Sequence, residues 1–326
     1  MNPEMDAPVT IVSRHWNEEH RELSYVIRSV AAAASRSFPV TVLVPGAQGE
    51  LQADGAFDLT PVGRGPDGGW PDPSGLHLSS PAPQAAAVIV DEFTDDVEPL
   101  LHALGTAAPL FTIGPATRQP DGVQVGTLSV LQHDARDGAR FIGLHIPVNP
   151  LAAVHRHNGF GFVGYVLVLS GRAGRHEDPI DEVAWTTAGF HSANVVVVED
   201  ARASLWRGRA LRGTTTVDSR TDLWRLVAHA RVCIDAAPGT VIARECVEAL
   251  RFGTPIMVPD DSAVAASHAV AGGLTYGSMA DLLQRVGECL DDSRHAELST
   301  AGKAYADECY GDPAAFVERV RLALST

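Results

Sequence analysis

The stretch richest in chemistry runs Pro238-Gly-Thr-Val-Ile-Ala-Arg-Glu-Cys-Val-Glu-Ala-Leu-Arg-Phe-Gly-Thr-Pro-Ile-Met-Val-Pro259. It reads as a loop, a helix over 242–252 stopped by Gly253, then Thr254-Pro255 and a buried strand. A helix that opens just after a strand end offers unpaired backbone N–H groups to an anion. In an open α/β sheet that is where ligands bind, so the segment is a phosphate-site candidate.

Other chemistry-bearing patterns carry less. Gly159-Phe-Gly161-Phe-Val-Gly164 fits G-x-G-x-x-G by letter. The dinucleotide fingerprint needs its glycines between a strand and the following helix, and here they precede a strand. They read as a flexible link. His155-Arg-His157 lies in a polar stretch with no third ligand nearby, which suits a solvated loop better than a metal. No G-x-S-x-G, Walker loop or H-E-x-x-H occurs. Cys233, Cys246, Cys289 and Cys309 form no C-x-x-C pair and are expected as free buried thiols in a reducing compartment.

Around these residues stand elements of ordinary globular composition, 45% hydrophobic and 20% charged over 326 residues. That length suits two domains. The net charge of −15 argues against nucleic acid and anionic membranes as partners. Lys303 is the only lysine, so any phosphate site must use arginine or backbone N–H groups. The N-terminus lacks a basic region followed by an apolar one, and no apolar run reaches about 18 residues. No signal peptide, transmembrane segment or metal is expected, and a cytoplasmic location is.

Val9–Ser13, a helix with Leu23, Val26, Ile27, Val30, Ala31 and Ala34 on one face, and Val40–Val44 form a strand–helix–strand unit. Residues 46–83 are rich in Gly, Pro and Asp, with weak strands near Leu51 and Leu59. Strands follow at Ala86–Val90, Leu110–Ile113, Val123–Val130 and Phe141–Ile146, with a helix at about Asp95–Leu104. Pro147–Asn158 has no clear period and reads as the interdomain linker. Tyr165–Ser170 is the strongest strand in the sequence, and Val195–Val198 is next. Then come a helix at about Thr221–Ala230, the strand Val232–Asp235, the Pro238–Pro259 segment, and helices at Met279–Leu290, Ser293–Cys309 and Pro313–Leu324. Apolar strands alternating with helices predict parallel sheets covered on both faces, two in tandem.

The second half resembles the retaining GT-B glycosyltransferases of the large glycogen-synthase-related group. Their hallmark is a glutamate, seven residues, then Glu-Ala-Met-x-x-Gly-x-Pro and a strand. This chain has Glu248-Ala-Leu-Arg-Phe-Gly253-Thr-Pro255-Ile-Met-Val. Asp222–Asp235 upstream, Gly272-Gly-Leu-Thr-Tyr, Leu290-Asp-Asp and Ala301–Tyr310 downstream, and Tyr165–Arg172 with its Gly-Arg ending also resemble the family. The similarity covers roughly 160–326. The first half matches only in the order of its strands and helices.

The resemblance implies two Rossmann-like domains in a GT-B architecture. It implies an acceptor-side domain over 1–150, a nucleotide-sugar domain over 151–310 and a last helix, 311–326, crossing back to the first. Glu248 matches the glutamate that accepts hydrogen bonds from the ribose hydroxyls, and Arg172 the arginine that clamps the pyrophosphate. The donor's phosphates would meet Gly239, Thr240 and Val241. The lysine expected after Arg172 is missing, and Arg175 is its candidate substitute. Thr240 stands where the family has its first glutamate, and Val241 and Ala243 replace glycines. His15-Trp-Asn-Glu-Glu-His20 replaces a glycine-rich loop, and no histidine stands near Ile113-Gly114. The implied activity is transfer of a sugar from a nucleotide-sugar donor, itself a substrate and not a cofactor, to an unknown acceptor. The alternative is an inactive homologue that serves as a protein partner or regulator.

Overall fold

The structure, a computed structural model, describes residues 8–13, 16, 22–45, 58–62, 87–90, 97, 101, 108–113, 125–129, 139–154, 163–169, 180–199, 202–207, 210–236, 244–261 and 271–325. It divides into two compact units, Met1–His145 with Pro313–Thr326, and Ile146–Asp312.

The first unit holds β1 (Val9–Val12), α1 (Glu22–Ala34), β2 (Val40–Pro45), β3 (Asp58–Val62), β4 (Ala87–Val90), β5 (Leu110–Ile113), β6 (Val125–Ser129) and β7 (Ala139–Phe141). These strands form one sheet in the order β3-β2-β1-β4-β5-β6-β7, and its pairings are parallel. Strands buried on both faces need unbroken apolar runs, and β1 and β4 are buried at every position. Val26, Ile27, Val30, Ala31 and Ala34 bury the predicted face of α1. The strand expected at 141–146 is displaced to β7. Ile142, Leu144 and Ile146 are buried without strand pairing. The strand expected near Leu51 and the helix expected at 95–104 lie outside the described residues, apart from Val97 and Leu101.

The second unit holds α2 (Leu151–Val154), β8 (Tyr165–Leu169), α3 (Ile180–His191), β9 (Asn194–Glu199), β10 (Arg202–Arg207), β11 (Ala210–Thr216), α4 (Arg220–Ala228), β12 (Ala230–Asp235), α5 (Arg244–Phe252), β13 (Ile256–Pro259), β14 (Gly273–Tyr276), α6 (Met279–Leu290) and α7 (Asp292–Tyr310). The sheet order is β11-β10-β9-β8-β12-β13-β14. Helices α3 and α6 cover one face, and α4 and α5, backed by α7, cover the other. The expectation of a purely parallel sheet fails at one edge, where β10 runs antiparallel to both β9 and β11. A tight hairpin can extend an edge without a crossover helix. The stretch read as a linker contributes α2, and Ala152 is buried.

The last helix, α8 (Pro313–Leu324), belongs to the first unit and packs on α1. Arg319 fixes it there, donating to the carbonyls of Ile142 (2.8 Å) and Gly143 (3.1 Å). Arg140 donates to the Ala323 carbonyl near the helix end, one of the acceptors that a helix C-terminus leaves unpaired.

Candidate functional site

In the second unit the chain runs outward from β8 through β9, β10 and β11, then returns to β12 on the other side of β8. The strand order therefore reverses between β8 and β12, whose C-terminal ends are neighbours, Leu169 in register with Asp235. Segments leaving such a reversal toward opposite sides open a crevice at the strand ends, where open α/β sheets take ligands. Arg172 and Arg175 follow β8, and Gly239, Thr240 and Val241 follow β12. All five lie outside the described residues. The structure fixes the two adjacent strand ends they follow, and α5, which begins at Arg244.

Helix α5 is held at both ends. Gly253 stops it at φ 80°, a conformation that only glycine adopts readily. Gly253 N–H donates to Leu250 O at 2.9 Å and Thr254 N–H to Ala249 O at 2.8 Å, the paired bonds of a Schellman stop. Helix α4 is capped at its start by the Ser219 hydroxyl, which accepts from Asp222 N–H. Its last carbonyls are taken from outside. Tyr165 Oη donates to Leu226 O at 2.6 Å, and Thr254 Oγ1 to Val227 O at 2.8 Å. Helix α4 is thus tied to β8 and to the end of α5, and Arg220 in its first turn reaches α5.

Glu248 is among the described residues and is fully buried. Arg220 Nε donates to its Oε1 at 2.9 Å, Arg244 Nε donates to the same oxygen at 3.1 Å, and Arg220 Nη2 lies 2.7 Å from Oε2. That last contact is close but poorly angled, leaving both atoms without a well-formed hydrogen bond. Arg220 Nη1 also donates to Glu245 Oε1 at 2.6 Å. Burial raises the Glu248 carboxyl above its ordinary value, against the downward pull of Arg220 and then Arg244. Burial lowers the Arg220 guanidinium, but Glu245 and Glu248 outweigh it and leave the group raised. The carboxylate expected to meet ribose hydroxyls already faces two arginines. Both hydrogen bonds fall on Oε1, and the carboxylate is buried, so a hydroxyl reaches it only if the packing around it opens.

Sequence reasoning missed these arginines. Arg244 lies one helical turn before Glu248, a spacing that signals an i,i+4 pair. Arg220 is 28 positions away, and only the packing of α4 on α5 brings it in. At the end of β14, two strands from β12, burial raises the Tyr276 hydroxyl, with Asp235 and Asp261 adding to the effect. All four cysteines are free and buried, as expected. Cys246 shares a hydrogen bond with Cys233, and this with burial pushes its thiol up, which makes it a poor nucleophile. Among the described residues no three His, Cys, Asp or Glu side chains form a metal-binding group, and no helix is long and apolar enough to cross a membrane. His155, His157, Gly159 and Gly161 lie outside those residues, and Gly164 donates its N–H to His229 O at 2.8 Å.

No protein-family profile and no curated protein sequence matches the chain. Solved structures match its fold at low identity. The Anabaena HepE protein in complex with UDP-glucose aligns over 98% of this chain and 99% of its own, with TM-score 0.66 and 10% identity. The sucrose-phosphate synthase of Thermosynechococcus elongatus aligns over 97% and 98%, with TM-score 0.60 and 12% identity. The calicheamicin glycosyltransferase CalG4 aligns over 98% of both chains, with TM-score 0.52 and 16% identity. The fold is that of the GT-B glycosyltransferases, two Rossmann-like domains in tandem.

Proposed function

We propose that the chain binds a nucleotide sugar at the crevice of its second unit and transfers the sugar to an acceptor, with retention at the anomeric carbon. The reading rests on the reversal of strand order between β8 and β12. Arg172 and Arg175 follow one strand end, and Gly239, Thr240, Val241 and the start of α5 follow the other. Two guanidiniums and a helix N-terminus suit a pyrophosphate, because forked N–H donors and the helix dipole both favour dispersed negative charge. The same groups stabilise the charge that grows on the leaving phosphate as the glycosidic bond breaks. The leaving phosphate can itself take the acceptor's proton, so no separate side-chain base is required. HepE, solved with UDP-glucose and with UDP, makes a uridine nucleotide the first donor to try.

Release of nucleoside diphosphate from a panel of UDP-, GDP- and ADP-sugars, with water and a set of simple sugars and alcohols as acceptors, tests the reading. Release from one donor, abolished in Arg172→Ala, is the expected result. A panel with no release overturns transfer.

One observation favours a second reading, binding without transfer. Glu248 is fully buried and paired with Arg220 and Arg244, so in this state it is closed to a ribose. Nucleotide binding without release under the same conditions would establish that reading.

A further inference from the structure

The described arginines of the second unit fall into two groups. From Arg220 to Arg294, each described one lies within ion-pair distance of a carboxylate. Arg202, Arg207 and Arg212 are exposed, and among the residues whose side chains are described Arg207 and Arg212 have no such partner. All three lie on the β10–β11 hairpin. Between Arg202 and Thr216 the sequence contains no Asp or Glu, in a chain of net charge −15. Glu199 and Asp218 flank the base of the hairpin in β9 and after β11, and Thr216 Oγ1 already donates to Asp218 at 2.9 Å. Arg202 stands at the base, in register with Thr216 and with Glu199 of β9, and Arg207 and Arg212 lie nearer the turn.

Strand β11 is the outer strand of its sheet. One charge there would serve to keep other strands from pairing with it. This hairpin has more. Leu211 is 51% exposed on the same edge, next to Arg212. The β10–β11 register shifts between Leu205 and Trp206, which face Gly213 and Leu211, so Arg212 is the extra residue of a bulge. A bulge breaks the ladder and re-aims side chains, which makes β11 a poor template for an added strand. Arg202 and Arg207 alternate to opposite faces of the ribbon. Both reach a common surface only when the ribbon meets it edge-on, and that edge carries Arg212 and Leu211.

We infer that the β10–β11 hairpin is a docking edge for an anionic phospholipid surface. Such a surface asks for no shaped groove, only clustered cations and an apolar side chain to enter the headgroup layer. Lipid phosphates also accept hydrogen bonds from backbone N–H groups along an open strand edge. The negative net charge does not forbid this, because charges farther than about 8 Å are screened at physiological salt. A second copy of the chain fits badly, since pairing two such edges sets arginines against arginines.

Flotation of the full chain with vesicles containing about 30 mol% phosphatidylglycerol, against pure phosphatidylcholine, tests the assignment. The expected result is recovery with anionic vesicles only, released at about 0.5 M salt. Arg202→Gln, Arg207→Gln and Arg212→Gln combined should lower the partition about a hundredfold, from roughly fivefold per arginine. Leu211→Ser should lower it further. All four positions are exposed, so the variants should melt with the wild type. No recovery, equal recovery with neutral vesicles, or full recovery of the triple variant overturns the inference. So does retention on polyglutamate resin without flotation, which would assign the edge to an acidic protein.

Discussion

Arg220 on α4 grips Glu248 on α5 at two points, Nε to Oε1 at 2.9 Å and Nη2 to Oε2 at 2.7 Å, and the gripped carboxylate is fully buried. Arg244 adds a third contact from within α5. Removing one partner of a buried pair leaves the other charged and uncompensated. Glu248→Ala should therefore cost about 3 kcal/mol, read as a lower denaturant midpoint at unchanged slope. Arg220→Lys should recover little of an Arg220→Ala loss, because an ammonium cannot make the two-point contact.

The paired glycines behind α5 make a second test. Gly272 and Gly302 meet backbone to backbone, and a Cβ at Gly302 would lie 2.8 Å from Leu250 Cδ2 and 3.0 Å from Gly272 Cα. Gly302→Ala should cost about 1–3 kcal/mol by overpacking, measured by urea unfolding.

Gly189 is the opposite case. It sits within α3, and beyond the backbone of its own helix nothing lies within 4 Å of where a Cβ would stand. Gly189→Ala should stabilise the protein by about 0.5–1 kcal/mol, since alanine lowers the entropy of the unfolded chain. A drop in melting temperature would contradict this.

His295 supplies a pH test. Burial lowers its imidazole below the ordinary 6.5, and Arg231 lowers it further against the pull of Asp292. Its Nε2 is buried without a hydrogen-bond partner among the described residues. A base whose folded value is depressed gives stability above its unfolded value and loses it as pH falls through the folded one. Melting temperature should therefore fall below pH 6.5, and His295→Gln should flatten that limb.

Elements with strong local signals are readable from the residues. Helix α6 and helix α8 lie where their periodicity places them, between Ser278 and Asp291 and after Asp312. Gly253 marks the end of α5 because a left-handed stop favours glycine. Helix α3 is not legible, because Thr186, Thr187 and Gly189 weaken its local preference. Packing of Val183, Ala184, Thr187 and Ala188 against the sheet holds it instead. The β10–β11 hairpin is hidden because its strands are polar, with no buried apolar run to mark them. At the site, Glu248 stands out by its motif. Its pairing with Arg220 depends on how two helices pack, and no sequence spacing encodes that.

The most direct measurement is thermal unfolding with uridine, guanosine and adenosine diphosphates and their sugars, beside an Arg172→Ala control. A ligand at about 100 times its dissociation constant adds about 2.7 kcal/mol to stability. A nucleotide site at the β8–β12 reversal predicts a clear rise in melting temperature with one nucleotide, lost in the control. No rise with any nucleotide at millimolar concentration, or an equal rise in the control, would contradict it.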